Sequence, residues 1–116
     1  MATSYTFDDF LAFIDAHEAT LRAKRPNEAA DHRMYALTRL GKLTEEAGEV
    51  ADAILTYYGA QRASKQKQPS TDSIAEELAD MYIVLTVIAK HFDLDVYELL
   101  QRKAAKMEQR RAAGDV

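Results

Sequence analysis

The sequence predicts an all-α protein, four helices in one domain over residues 1–116. Three observations carry this. Apolar residues recur at the three-to-four spacing of a helical face in four separate stretches. The two prolines, Pro26 and Pro69, fall between those stretches and not inside them. Side chains suited to helix capping, Thr6, Asn27, Ser73 and Asp95, stand at or near their starts. A chain of 116 residues is long enough for one compact domain with one core.

The first helix is expected from Phe7 to about Lys24, with Phe7, Phe10, Leu11, Ile14, Glu18 and Leu21 facing inward. Thr6 supplies its N-cap, and Asp8 and Asp9 suit the positive end of the dipole. His17 flanks the inner face with no second His or Cys at ligand spacing, so it reads as a half-buried or surface side chain. Arg22 to His32 is a break: Pro26 disfavours helix at Arg25, and Asn27 offers a cap for the next helix. Its basic residues, Arg22, Lys24 and Arg25 with Arg33 nearby, read as a solvated connector. The second helix is expected from His32 to about Ala60, stopped by Gly59. Gly48 inside it costs about 1 kcal/mol against alanine, which suggests close approach of another helix or a ligand.

Gln61 to Asp72 is polar, basic and aperiodic, and reads as a linker. Ser73 and Glu76 make a capping box for a third helix, Ile74 to about His91. This helix is apolar on most sides after Asp80 and is expected to be the most buried. The short Phe92–Leu94 connection favours antiparallel packing of a fourth helix, Val96 to about Arg111, on the third. Asp95 caps it, with Glu98 three residues on. Val96, Leu99, Leu100, Lys103, Ala104 and Met107 share one of its sides. Lys103, Lys106 and Arg110 form a basic stripe, and the apolar neighbours of Lys103 point to a buried partner or a phosphate as well as to a solvated face.

Composition narrows the function. A net charge of -4 argues against a nucleic-acid polymer as partner, since a phosphate backbone needs a basic footprint. The absence of cysteine excludes disulfide and thiolate chemistry. The first residues lack the basic start of a secretory signal. The longest apolar run, Met81 to Ala89, is far short of a membrane span. A cytoplasmic protein with no membrane partner is expected.

Two acidic pairs break this ordinary pattern. On the second helix Glu46 lies about 60° and Glu45 about 40° from Glu49, and Glu46 sits one turn from both Leu43 and Val50. On the third, Glu77 falls within about 20° of Val84 and Ile88, and Asp80 within about 20° of Val87. Carboxylates on apolar faces are costly unpaired, and close neighbours raise one another's pKa. A bound divalent cation removes both difficulties. An all-oxygen donor set favours a hard ion, Mg²⁺ or Mn²⁺, over zinc. A di-iron carboxylate bundle needs Glu-x-x-His pairs, and no His here has a Glu three residues before it.

Read together, Glu45-Glu46-x-x-Glu49 and Glu77-x-x-Asp80, with a gap of 27 residues between them, resemble the signature of the MazG-like all-α nucleoside triphosphate pyrophosphohydrolases. The resemblance covers about residues 37 to 111. It implies a four-helix MazG-like bundle and Mg²⁺-dependent hydrolysis of an NTP or dNTP to the monophosphate and pyrophosphate. It also implies Glu46, Glu49, Glu77 and Asp80 as metal ligands, with Mn²⁺ able to substitute, and Glu45 as the group that orients or deprotonates the attacking water. Lys103, Lys106 and Arg110 match the family's basic run and would contact phosphates or a partner subunit, though Met107 stands where that run has an asparagine. The chain has no tryptophan to stack on a base; Phe7, Phe10, Tyr35 and Tyr82 are the candidates to replace it. The small chain and its apolar third helix, with the resemblance, point to a homodimer or a dimer of dimers. Phosphoribosyl-ATP pyrophosphohydrolase activity and a non-catalytic nucleotide-sensing module are the alternatives.

Overall fold

Thr6 begins the structure as its sequence suggests. Its hydroxyl accepts from the Asp9 amide at 3.1 Å while the Asp9 carboxylate accepts from the Thr6 amide at 2.9 Å, a reciprocal capping box. The computed structural model describes residues 4–60 and 70–115. Five helices succeed one another: α1 (Phe7–Lys24), α2 (Pro26–Ala29), α3 (His32–Tyr57), α4 (Thr71–His91) and α5 (Val96–Ala112). Among the described residues there is no strand, and no helix is long and apolar enough to cross a membrane. Most of the proposed linker, residues 61–69, lies outside the described residues.

Three helix starts differ in detail from the sequence reading. Pro26 occupies the first turn of α2, where its missing N–H costs nothing, so the break contains a helical turn and Asn27 lies inside it. Asp31 is the side chain that caps α3, accepting from the Met34 amide at 3.0 Å. Ser70, not Ser73, caps α4, so Thr71 and Asp72 belong to the helix and Ser73 and Glu76 are exposed in its first two turns. Gly59 adopts a φ of 69° just past α3, the left-handed turn its position predicts. Gly48 does not mark a close approach: a methyl group there would meet nothing within 4 Å.

Helices α3 and α4 pack against each other most extensively and run antiparallel. The start of α3 meets the end of α4, with the His32 and His91 rings 4.0 Å apart, while Glu46 meets Glu77 and Asp80 further along. Ile14, Tyr35 and Val87 form the core where α1 joins this pair, with Phe10, Leu21, Ala29 and Ile83 around them. The second half of α4 is buried at Val84, Thr86, Val87 and His91, but Leu78, Tyr82 and Leu85 stay exposed. Helix α5 buries no residue, and its expected packing along α4 is confined to a short contact. It is tethered instead to the start of α1: the Tyr97 hydroxyl donates to Asp8 at 2.7 Å, and the Tyr97 ring meets Phe7 edge-on. The radius of gyration is 17.6 Å, against about 13 Å for a compact chain of this length.

The connector is not solvated throughout. Arg22 Nε holds Glu18 at 3.0 Å, its Nη1 reaches the Ala29 carbonyl, and its Nη2 faces His91 Nδ1 at 3.1 Å. Because arginine only donates, His91 Nδ1 accepts and Nε2 carries the proton that it gives to the His32 carbonyl at 3.0 Å. Arg22 and Arg39 both lie over the Tyr35 ring, 4.2 and 5.4 Å from its centre, and Arg39 pairs with Glu28. Burial, then the Glu18 carboxylate, pushes the Tyr35 phenol above its usual range.

The Tyr35 hydroxyl is buried without a hydrogen-bond partner. Tyr35→Phe is therefore expected to leave stability unchanged or raise it. Tyr35→Ala, which empties the core and strips both guanidinium contacts, is expected to cost about 3–5 kcal/mol. Urea unfolding followed by circular dichroism separates the two.

Candidate metal centre

The middle of α3 must be helical for its acids to converge. Apolar spacing from Leu40 to Ile54 turns Leu43, Val50 and Ala53 partly inward, and the same face carries Glu46 in, to 5% exposure. From α4, Glu77 arrives half-buried and Asp80 stands at the solvent edge. One carboxylate oxygen from each of Glu46, Glu77 and Asp80 lies within 4.8 Å of the other two. Glu46 Oε2 and Glu77 Oε2 are buried and have no hydrogen-bond partner. Orphaned oxygens of this kind are expensive, and a cation is the group that satisfies several at once.

Glu49 stands one turn beyond Glu46 on the exposed flank of the trio. Its carboxyl is pushed above the usual range, first by sharing a hydrogen bond with Glu77, then by desolvation and by the charges of Glu77 and Glu45. All four expected ligands are therefore neighbours, three of them within mutual coordinating reach. Glu45 lies outside the trio, more than half exposed, with Oε1 held by Lys42 at 3.3 Å. Lys42 also reaches Glu46 Oε1 at 3.2 Å. Sequence reasoning misses Lys42, although its i, i+3 and i, i+4 relation to two site acids is the signal that could find it.

Two clefts border α4, and none of Glu46, Glu49, Glu77 and Asp80 lines either. An aromatic one of about 590 Å³ lies between the start of α1 and α4, lined by Tyr5, Phe7, Phe10, Phe13, Tyr82 and Ile83. Three of the four candidate stacking rings meet there; Tyr35 is in the core instead. The second cleft, about 600 Å³, sets the polar side chains His17, Arg25, Thr38, Arg39, Lys42 and Glu45 against an apolar wall of Leu21, Val84 and Val87, with Ile83 common to both clefts. The basic stripe of α5 is elsewhere: Lys103, Lys106 and Arg110 are exposed, and among the described residues none makes an ion pair. Of the alternatives open for Lys103, a buried partner is not found among the described residues.

The donor set suits a hard divalent cation, with oxygen ligands only and two of them unsatisfied. Glu77→Gln removes one charge from the cluster. It is expected to raise the melting temperature of the metal-free protein, by about 4 °C for each 1 kcal/mol of relieved repulsion. The same change should shrink the further rise that Mg²⁺ gives, as differential scanning fluorimetry with and without the ion would read.

The family model for the MazG nucleotide pyrophosphohydrolase domain matches residues 36–113, which span both acidic pairs, α4 and α5. No curated protein and no solved structure matches the chain significantly.

Proposed function

Because the chain belongs to the MazG nucleotide pyrophosphohydrolase family, we propose that it cleaves a nucleoside triphosphate, an NTP or dNTP, between the α and β phosphates. The observation that carries this reading is the convergence of Glu46, Glu77 and Asp80 from two antiparallel helices, with two buried oxygens left unsatisfied. Glu46, Glu77 and Asp80, with Glu49 beside them, would hold Mg²⁺ or Mn²⁺. The ion supplies charge neutralisation for the polyphosphate and acidity for a water.

The chain's own residues do the rest. Glu45 lines the second cleft, where its carboxylate takes the proton of the attacking water. Water oxygen bonds to the α phosphorus, the bond from that phosphorus to the bridging oxygen breaks, and pyrophosphate leaves. The aromatic cleft receives the base by stacking on Phe10 or Tyr82, since few polar groups line it. Ile83, shared by both clefts, then sits beneath the sugar.

Assembly follows from surface left uncovered. Leu37 and Leu40 on α3, Leu78 and Leu85 on α4, and Leu99 and Leu100 on α5 are all exposed. Together with the large radius of gyration they favour a second copy covering these faces, as a homodimer or dimer of dimers. Lys103, Lys106 and Arg110 would then serve phosphate or the subunit contact from the partner-facing helix.

The test is pyrophosphate release from a panel of ordinary and modified NTPs and dNTPs, with phosphoribosyl-ATP included, in Mg²⁺, Mn²⁺ or EDTA. Metal-dependent monophosphate and pyrophosphate are expected. Orthophosphate as the product, or nucleotide binding with no turnover, would overturn the assignment. Glu49→Gln and Asp80→Asn are each expected to lower kcat/KM by about 100-fold or more while the helical circular dichroism spectrum is retained.

A further inference from the structure

Lys42 stands at the junction between the carboxylate trio and the second cleft. Its ammonium touches Glu46 Oε1 at 3.2 Å and Glu45 Oε1 at 3.3 Å. Glu46 is almost fully buried, whereas the Lys42 side chain is 41% exposed, so the ammonium reaches inward from the solvent side. Along its other side Lys42 lines the cleft with His17, Arg25, Thr38 and Arg39. Among the described residues Glu45 is the one carboxylate in that lining, against the positive charges of Arg25, Arg39 and Lys42, of which Arg39 is already paired with Glu28 from outside the cleft. Arg39 there is 6% exposed and leaves its Nε buried without a partner.

A divalent cation at Glu46 and an ammonium on the same carboxylate repel across a few ångströms. The lysine is the partner able to leave, because its charge is carried on a flexible four-carbon stem. Negative charge for it to move to is scarce: Glu45 is already its partner, and the other groups lining the cleft are neutral or cationic. An anion in the cleft would supply that charge.

We propose that Lys42 is an exchangeable counter-ion: it neutralises Glu46 in the metal-free protein, is displaced by the divalent cation, and turns towards Arg25 and Arg39 in the second cleft to hold the leaving pyrophosphate. The first half of this concerns the metal alone. The second half rests on the pyrophosphohydrolase reading. The two halves are coupled, so phosphate that draws Lys42 away from Glu46 also tightens the metal.

The experiment compares wild type, Lys42→Gln and Lys42→Arg. Mn²⁺ binding to the nucleotide-free protein is followed by electron paramagnetic resonance, and pyrophosphate is titrated calorimetrically into Mg²⁺-saturated protein. Lys42→Gln is expected to bind Mn²⁺ about fivefold more tightly than wild type, a modest figure because solvent screens the exposed lysine. Its pyrophosphate affinity is expected to fall about tenfold, the loss of one charge-assisted contact. Lys42→Arg keeps the charge and should stay within about twofold on Mn²⁺. A folded Lys42→Gln protein with unchanged or weaker Mn²⁺ binding would overturn the counter-ion role, since a merely structural lysine moves only the melting temperature. Tighter Mn²⁺ with unchanged pyrophosphate binding would overturn the transfer to phosphate. Tighter Mn²⁺ in a protein that hydrolyses no nucleotide would uphold the counter-ion role and count against the pyrophosphohydrolase reading alone.

Discussion

A carboxylate taken out of water organises this molecule. Glu46 is 5% exposed in the seam between α3 and α4, and one of its oxygens has no partner. Helix α4 adds Glu77 and Asp80 to the same place. Without a cation, the two helices are held together against the repulsion of their own acids. A cation bound there would relieve that repulsion and so link stability to ligand binding at one point.

The other end of the seam is built on the opposite principle. Glu18, Arg22, Glu28 and Arg39 meet around the Tyr35 ring with their charges paired, and His91 is fixed by a donor on one side and a carbonyl on the other. Partly buried ion pairs of this kind add little net stability against an apolar replacement, but they penalise any other register of α1 against α3 and α4. That end joins charges of both signs, whereas Glu46, Glu77 and Asp80 gather charges of one sign.

Much of this was legible in the sequence because it is local. Helical periodicity placed α1 to within a residue, and Thr6, Gly59 and Asp95 acted where a cap or stop was expected. The acidic pairs were legible because an acid on an apolar face contradicts the pattern around it. What was missed depends on partners far along the chain. Nothing local to Arg22 reveals that His91, sixty-nine residues on, will accept its hydrogen bond. Ser70 and Ser73 are both able caps, and the choice of Ser70 added a turn to α4 that periodicity alone did not mark. Tyr35 could not be told from Phe7, Phe10 and Tyr82 by residue type, since an aromatic ring serves a core and a cleft equally well. Gly48 misled because a glycine's cost is visible in sequence while its surroundings are not.

The tether of α5 has a mechanical consequence. The helix is fastened near its first turn, by the Tyr97 contacts with Asp8 and Phe7, and buries nothing beyond it. Its 17 residues make a lever about 25 Å long. A rotation of about 5° at the fastened end displaces the far end by about 2 Å, enough to make or break a hydrogen bond at Arg110. The reach of the basic stripe is therefore set less by its own sequence than by whatever clamps the lever along its length.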